Sequence, residues 1–465
     1  MATSAVPAST SQGTIDVASL VSQLMAVEHR PIDNLNTEVA SYQSEISSLG
    51  TIQGLVSSFQ SAEQSLGTAL QSYSAVSSNV GITASANSTA VGGTYSVAVS
   101  ALAQAQSLAA VGQVSTTATI NAGTSTTVTF DFGTTNGTTF TSNGNGTKSI
   151  TIDSTNNTLQ GISNAINAAN IGVTATIVND GSATPYRLVL SSTNSGASNS
   201  LKITTNGAGN GVDSLLAYDP AGTKNMTQTI AAQDASFTAN GIAMTSPTNT
   251  VTNAIQGVTL NLNNTTTSPA TLTVARDTNA INTAVASFVS AYNGLYSQLQ
   301  SRSAYGSSTS TAGVLAGDGT VRLMMSQLQG IFMGSASGGT LTSLAQVGIT
   351  TQADGTLKFD STALASAMSN NFSDVTNLFS SSTGFLTSLD AWSTSVLTPG
   401  GLIPTHITDL NSSITGFNSQ ISQLNARMTT LQAYYTTQYS NLNMLLSSMN
   451  STSSYLTQAF ASTTK

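Results

Sequence analysis

The strongest constraint in this 465-residue sequence is an apolar repeat near its carboxyl end. Apolar residues recur there at alternating spacings of four and three, and one glutamine interrupts the series. Such spacing is typical of a coiled-coil seam, because it keeps one face of a helix turned toward a partner helix. A helix that stood alone would expose this seam to water, so we expect it to pack on something. The predicted partner seam consists of Leu410, Ile414, Phe417, Ile421, Leu424, Met428, Leu431, Tyr435, Gln438, Leu442, Leu445 and Met449.

A second apolar stripe, near the amino end, offers a partner for that helix. All four glutamates of the chain fall between Glu28 and Glu63, and glutamate is a strong helix former. Asp16 is suited to cap a first helix, and Pro31 to the first turn of a second, longer one. The second helix again has apolar residues at 4-3 spacing, so we expect it to pack against the carboxyl-terminal helix. This predicted N-terminal seam consists of Leu35, Val39, Tyr42, Ile46, Leu49, Val56 and Phe59.

The middle of the chain has the pattern of β-strands. Between about residues 80 and 275, short alternating runs are separated by Gly, Asn, Thr and Ser. One helical stretch, residues 159–169, interrupts them. Residues 258–262 and 272–274 are predicted to form a hairpin across a threonine-rich loop, and the helical period returns after Arg276. The sequence therefore predicts an α+β multidomain fold, with N- and C-terminal helices forming a coiled-coil leg and β-rich head domains inserted between them.

These changes of pattern mark the predicted domain boundaries. Because the β-rich part lies between two helical ends, the N- and C-terminal helices are expected to come together. The predicted segments are a flexible N-terminus (1–13), N-terminal leg helices (14–75), a first β-rich head domain (76–115 with 230–275), a second head domain inserted into it (116–229), a leg domain of helical and mixed elements (276–404) and the C-terminal coiled-coil leg helix (405–465).

Charged residues are scarce, which excludes several classes of protein. Asp, Glu, Lys and Arg make up 6% of the chain, and the net charge is −8. An ordinary soluble protein has roughly 25% charged residues. Eleven scattered basic residues cannot form the footprint that nucleic-acid binding needs, and no apolar run is long enough to insert into a membrane. In residues 405–465 the flanking charge pairs of an ordinary coiled coil are missing, so partner choice there cannot rest on salt bridges.

The sequence contains no recognisable catalytic or metal-binding pattern. The absence of cysteine excludes thiolate chemistry, and two histidines, His29 and His406, cannot form a histidine-rich metal site. No nucleophile elbow and no phosphate-binding loop ending in Gly-Lys occurs. We therefore predict no catalytic, cofactor-binding or metal site and no enzyme activity, and we interpret Trp392 as a core residue. The first residues lack a basic stretch followed by an apolar run, so any export is expected to use a route without a classical leader.

Several stretches, taken in order, resemble one known family. The run Gly13-Thr14-Ile15-Asp16-Val17, followed by Leu20-Val21, is similar to the opening signature of the flagellar hook-associated protein 2 family. The match is collinear over nearly the whole chain, which makes it more specific than any one motif, and it is weakest between about 105 and 230. Further similar stretches are Gly93-Thr94-Tyr95-Ser96-Val97, Ala165-Ile166-Asn167-Ala168, Arg187-Leu188-Val189-Leu190, Gly257-Val258-Thr259-Leu260, Gly348-Ile349-Thr350, Asp354-Gly355-Thr356-Leu357 and, near the C-terminus, Arg427, Tyr435 and Tyr455-Leu456.

The resemblance implies a secreted cap at the distal tip of the bacterial flagellar filament, exported by the flagellar type III apparatus. Family members form a ring of identical subunits, which promotes flagellin polymerisation and prevents loss of flagellin monomers. A pentamer is the favoured ring, with tetramer and hexamer open. The implied partners are further copies of the chain, flagellin, a flagellar export chaperone and, in some members, host mucin or surface glycans. A secreted adhesin, another hook-filament junction protein and, less favoured, a glycan-active enzyme are the alternatives.

The uncharged seam generates a prediction for the isolated carboxyl-terminal segment. A peptide of residues 405–465 is expected to be weakly helical in dilute solution, because its Ser, Thr and Asn flanks have low helix propensity and its seam has nothing to pack on. Circular dichroism over a range of peptide concentrations measures this. A stable helix in the monomeric peptide would contradict the interpretation.

Overall fold

The structure is a computed structural model that describes residues 16–120, 125–306, 311–337 and 339–463. The predicted flexible N-terminus, residues 1–13, lies outside the described residues. The chain divides into two compact units. We call residues 1–69 with 281–465 the helical unit, and residues 70–280 the β-rich unit.

The helices and strands follow the predicted order, with helices toward both ends and strands in the middle. This confirms the α+β multidomain class; the finer domain boundaries stay a prediction. The helices are α1 (Val17–Glu28), α2 (Arg30–Ala69), α3 (Leu159–Ala168), α4 (Gly211–Leu216), α5 (Thr278–Ser303), α6 (Gly319–Met333), α7 (Ser361–Ser380), α8 (Phe385–Leu397) and α9 (Leu402–Thr463). The strands are β1 (Tyr73–Ser77), β2 (Ile82–Ala86), β3 (Gly93–Ala101), β4 (Ser107–Ala109), β5 (Thr126–Thr135), β6 (Phe140–Ser142), β7 (Lys148–Ile152), β8 (Val173–Asn179), β9 (Tyr186–Ser192), β10 (Ser200–Thr205), β11 (Thr227–Ile230), β12 (Ala235–Ala239), β13 (Ile242–Ser246), β14 (Thr250–Ile255), β15 (Val258–Leu262), β16 (Ala270–Arg276), β17 (Ile349–Thr351) and β18 (Leu357–Phe359).

Capping residues set the ends of α1 and the start of α2. Asp16 caps α1, as the sequence predicts, because its Oδ1 accepts a hydrogen bond from the Ser19 backbone N–H at 3.0 Å. His29 ends α1 as its C-cap, and α2 begins at the next residue. His29 is thus a capping residue, in agreement with the prediction that the two helices meet at this point.

An aromatic core holds the helical unit together. The ring of Phe59 on α2 lies 5.3 Å from that of Phe288 and 6.1 Å from that of Tyr292, both on α5, and 6.3 Å from that of Trp392 on α8. Trp392 is 5% exposed, which confirms that it is a core residue. The Tyr292 hydroxyl donates to the carbonyl oxygen of Gly355 at 3.0 Å, so the turn between β17 and β18 is tied to the same core. Paired aromatic rings at these separations add packing energy to the area they bury.

The β-rich unit contains two lobes, each with its own hydrophobic core. The first lobe combines a five-stranded sheet of order β1-β16-β3-β12-β13 with a three-stranded sheet of order β14-β15-β2. Its core includes Val97, Phe237 and Leu260. The second lobe combines a sheet built on β5, which pairs with β6, β7 and β10, with a sheet of order β11-β4-β9-β8. Helices α3 and α4 complete it, and Leu188 and Val212 are fully buried in its core.

One predicted strand pairing in the first lobe is wrong. Strand β15 does not pair with β16; β15 pairs with β14 and β2, while β16 pairs with β1 and β3. Leu260 of β15 and Leu272 of β16 are nonetheless both fully buried in one core. The alternating pattern correctly indicates which side chains face the core. It does not distinguish a neighbour in the same sheet from a strand in the other sheet of the lobe.

The two lobes of the β-rich unit are joined by hydrogen bonds at and near the two chain segments that connect them. Gln104 and Gln233, on the two chain segments that run between the lobes, exchange backbone hydrogen bonds of 2.9 and 3.2 Å. Within the first lobe, the Asn249 side chain anchors the start of one connecting segment: it donates to the carbonyl of Ala103 at 3.0 Å and accepts from its N–H at 2.7 Å. Ser195 Oγ adds a bond to the carbonyl of Pro247 at 2.7 Å. The backbone N–H of Ala197 in the second lobe also donates to Asp234 Oδ1 at 2.8 Å, so one carboxylate takes part.

A buried glutamate in α2 predicts a pH-dependent stability. Glu63 is 2% exposed, and burial first, then the nearby charge of Asp390, raises its pKa to about 8. Because the folded pKa lies above the unfolded value of about 4.5, its protonated form stabilises the fold fully below pH 4.5, and this is lost as pH rises through about 8. Between pH 5 and 8 we expect a loss on the order of 3 kcal/mol. Thermal melts of Glu63→Gln should lack this slope.

Glu38→Gln is the matched control for that experiment, since Glu38 lies on the same helix with an exposed side chain. It should leave the pH dependence of the melting temperature as in the parent chain. A parent-like slope in Glu63→Gln would show that another group causes it.

Candidate assembly interface

The predicted carboxyl-terminal seam lies on one continuous helix. Helix α9 has 62 residues, which corresponds to about 93 Å at 1.5 Å per residue. Its hydroxyl side chains donate to carbonyl oxygens one turn earlier, as Ser412 does to Thr408 and Thr429 to Asn425. These bonds give a hydroxyl-rich helix surface partners within its own helix. The helix therefore presents a stripe of apolar side chains between uncharged polar flanks.

The first half of the C-terminal seam packs inside the helical unit. Leu410 and Met428 are buried, and the Phe417 ring lies 5.6 Å from the ring of Tyr42 on α2. A small cluster of buried residues, which we call the α1–α9 cluster, consists of Val21, Met25, Ile32 and Met428. The seam residues packed against it are Ile421, Leu424, Leu431 and Tyr435, and Ile414 is half-buried.

The predicted N-terminal seam has two different environments. Leu49, Val56 and Phe59 are fully buried, and Phe59 belongs to the aromatic core. The remaining members are half-buried, and Tyr42 contacts Phe417 of α9. Helix α2 thus places one part of its stripe in the core and another beside α9. The half-buried members are Leu35, Val39, Tyr42 and Ile46.

The packed face of α9 departs from the predicted seam at Gln438. Gln438 is exposed, whereas Tyr439 packs against the α1–α9 cluster together with Val17 at the start of α1. An α-helix has 3.6 residues per turn, so a packed face drifts away from a strict seven-residue repeat unless the helices supercoil. Sequence reasoning missed Tyr439 because the strict seven-residue repeat places the preceding residue, Gln438, in the seam.

Beyond Tyr439 the apolar stripe of α9 is exposed. Leu442 is 40% exposed, Leu445 59%, Met449 60% and Leu456 47%. We call these four residues the distal stripe. Leu456 lies seven residues after Met449, so the repeat itself was the signal that could have extended the predicted seam. Exposed apolar side chains grouped on one face are typical of a binding surface.

The surroundings of the distal stripe carry no charge. The sequence between Arg427 and Lys465 contains no charged residue. Nearer the cluster, a groove of about 680 Å³ runs between α1 and α9. Its α1 side includes the small residues Ala18, Ser22 and Ala26, and its α9 side Gln432 and Thr436. Neither surface offers fixed ion pairs that would select a partner by charge.

A small group of ionisable side chains fixes the beginning of α9. His406 Nε2 lies 2.9 Å from Asp318 Oδ2, and Asp318 Oδ1 caps α6 by accepting from the Val321 N–H at 2.9 Å. Burial first, then the charge of Asp318, raises the pKa of Glu45 on α2. The contact between His406 and Asp318 therefore joins the start of α9 to the start of α6, and Glu45 of α2 is close enough to be affected by the charge of Asp318. Across the described ranges, no three His, Asp or Glu side chains are placed to hold a metal ion. None of the helices described there combines the length and the hydropathy that a membrane span requires.

The chain is similar to members of one known protein family along most of its length. A family model described as flagellar hook-associated protein 2 N-terminus matches residues 13–106, and one described as its C-terminus matches residues 232–451. The flagellar hook-associated protein 2 of Escherichia coli K12 is 32% identical over 462 residues, covering 96% of each chain. The B-type protein of Pseudomonas aeruginosa is 30% identical over 399 residues, or 80% of each chain.

A solved structure shares the fold over most of the chain. The crystal structure of the D1-D2-D3 domains of the flagellar cap protein FliD from Escherichia coli aligns with a TM-score of 0.65 and 31% identity. The alignment covers 78% of this chain and 99% of that one.

The shift at Gln438 generates a prediction about α1. Tyr439→Ser is expected to loosen α1 from α9, because it removes a ring that packs against the α1–α9 cluster, at a cost of roughly 1 kcal/mol. Amide hydrogens of residues 17–28 should then exchange about five to ten times faster. Gln438→Ser is the matched control and should leave these rates unchanged. If Gln438→Ser instead speeds exchange as much as we expect of Tyr439→Ser, while Tyr439→Ser does not, the packed face follows the strict repeat.

Proposed function

Because the chain belongs to the flagellar hook-associated protein 2 family, we infer that it is the structural cap at the distal end of the bacterial flagellar filament, outside the cell. The main support for this inference is the 32% identity with the Escherichia coli K12 protein, which extends over 96% of both chains. The shared fold with a flagellar cap protein supports the same conclusion. A secreted adhesin or another hook-filament junction protein is not favoured by these matches. We further propose that the cap acts by assembly, without catalysis.

The cap is proposed to work as a ring of identical copies. A ring needs a heterologous contact, in which one surface of a subunit meets a different surface of the next. A pentamer is the proposed stoichiometry, with tetramer and hexamer as alternatives that measured ring symmetry would distinguish. In this function the ring promotes addition of flagellin to the filament and prevents leakage of flagellin monomers.

The distal stripe is the proposed contact between the cap and neighbouring subunits at the filament end. Its four apolar residues are 40–60% exposed, so a partner helix would bury apolar area that the monomer leaves in water. The flanks are Ser, Thr, Asn and Gln, and no ion pair fixes one register. A surface of this kind can pack against successive neighbours as the filament grows, because exchange of partners breaks no specific charge contact.

Two further partners are proposed from family membership alone. One is a flagellar export chaperone, before the chain leaves the cell through the type III apparatus. The other is host mucin or surface glycans, which stay a prediction.

Substituting the distal stripe tests its role. Replacing Leu442, Leu445, Met449 and Leu456 together by Ser should leave the melting temperature within a few degrees of the parent value, because these side chains are exposed. In a strain that lacks the cap, the variant should be secreted but support only short filaments. More flagellin should appear in the culture medium. Electron microscopy measures filament length, and immunoblotting measures released flagellin.

A double variant on the opposite face of α9, Ser447→Ala with Ser454→Ala, is the matched control and should support normal filaments. Normal filament growth with the stripe variant would assign the contact to another surface. Such a result would leave the cap function itself intact.

A further inference from the structure

Seven asparagines in this chain are followed directly by glycine. They are Asn136, Asn143, Asn145, Asn206, Asn210, Asn240 and Asn293, and all of them lie in the described ranges. In such a pair the backbone nitrogen of the glycine can attack the asparagine side chain, since glycine has no Cβ to obstruct the approach. The seven sites have the same following residue, so differences between them come from the fold.

The reaction needs only water and a base. The glycine nitrogen loses its proton and forms a bond to Cγ of the asparagine, and the Cγ–Nδ2 bond breaks to release ammonia. Water then opens the resulting succinimide at either carbonyl, which gives aspartate or isoaspartate. The carboxamide must rotate until Cγ lies about 3 to 3.5 Å from the nitrogen, so hydrogen bonds that hold the carboxamide slow the reaction.

In three of these pairs from the second lobe, hydrogen bonds hold the carboxamide, within its own turn at Asn136 and to residues distant in sequence at Asn143 and Asn206. Asn136 Oδ1 accepts four hydrogen bonds from the backbone and hydroxyl groups of Thr138 and Thr139, at 2.9–3.0 Å. The further two are Asn143, whose Nδ2 donates to the Ser198 carbonyl at 3.2 Å, and Asn206, whose Oδ1 accepts from the Thr127 N–H at 2.8 Å.

Three more pairs are held by contacts with other elements. Asn293, inside α5, makes two hydrogen bonds to the backbone of Leu357, at 2.7 and 2.8 Å. The other two are Asn210, which donates to Thr126 Oγ1 at 2.7 Å and accepts from the Asp213 N–H at 2.8 Å, and Asn240, which accepts from the Ser96 N–H at 2.9 Å.

Asn145 differs from the other six. It is exposed in the turn between β6 and β7, and its carboxamide makes no hydrogen bond to any residue that the structure describes. Its hydrogen bond to Asn143 Oδ1, at 3.0 Å, comes from the backbone N–H and does not involve the side chain, so the carboxamide can rotate. Gly146 follows with φ +80°, and no heavy atom lies within 4 Å of the position that a Cβ would take there. The glycines after Asn136, Asn143, Asn240 and Asn293 are equally open, so the feature that distinguishes Asn145 is its carboxamide.

We propose that Asn145 is a site of spontaneous covalent modification, at which the folded chain converts an asparagine to aspartate or isoaspartate. The product adds one negative charge to a turn that leads into β7 beside Lys148. The isoaspartate form also lengthens the main chain of this turn by one carbon. In a protein that stays outside the cell, the altered fraction grows with the age of the molecule.

Timed incubation of the full-length chain at 37 °C and mildly alkaline pH tests the proposal. Chymotryptic peptide mapping by mass spectrometry, with enzymatic labelling of isoaspartate, gives a rate for each site. Each hydrogen bond that must break slows the reaction by roughly fivefold. Asn145 should therefore react at least about fivefold faster than any of the other six. In urea, where the fold is lost, the seven rates should converge.

Two variants sharpen the result. Asn145→Gln should remove the fast site and leave the other six rates unchanged. Thr138→Val with Thr139→Val removes two of the four bonds to Asn136 and should speed the reaction at Asn136 by roughly 25-fold, at fivefold per bond. If Asn136 or Asn240 reacts as fast as Asn145 in the folded parent chain, or if folding slows Asn145 as much as the others, the proposal is wrong.

Discussion

The packing of α2 is the interaction on which the helical unit depends. The ring of Phe59 joins α2 to α5 and α8, and the ring of Tyr42 joins it to α9. Nearer its start, Ile32 lies in the cluster that also holds α1 against α9. One helix of 40 residues is therefore shared by every part of this unit that contributes to the candidate interface. Loss of its apolar stripe would separate the aromatic core from the terminal helices.

Scarcity of charge explains how the remaining contacts are made. Within the described part of the chain, Arg187–Asp180 and Lys202–Asp219 form ion pairs, and His406 Nε2 lies 2.9 Å from Asp318 Oδ2. The fold is therefore stabilised mainly by burial of apolar side chains and by hydrogen bonds between neutral groups, whereas proteins of ordinary composition also use many ion pairs. Interactions of this kind depend little on salt concentration, because screening acts on charges. An assembly surface made in the same way loses selectivity by charge and gains freedom of register.

Much of the fold follows from local patterns in the sequence. The cap at Asp16, the core position of Trp392 and the order of helices and strands all depend on chemistry within a few residues, and the structure confirms them. The pairing of residues 258–262 with 272–274 was wrong, because pairing depends on strands distant in sequence. The candidate interface was predicted as a stripe of apolar residues. The shift from Gln438 to Tyr439 depends on where α1 packs along α9, and the spacing of apolar residues in α9 contains no information about α1.

The hydrogen bonds between the two lobes of the β-rich unit have a mechanical consequence. Gln104 and Gln233 pair where the two connecting segments run side by side. Next to this pair, the Asn249 side chain bonds to both the backbone N–H and the carbonyl of Ala103. Both connecting segments are covalently attached to both lobes, so a force that pulls the lobes apart is carried by the chain itself. Bending or twisting one lobe against the other must instead distort the bonds between the segments. The pairing therefore makes the joint stiffer against bending and torsion than two unpaired linkers of the same length would be.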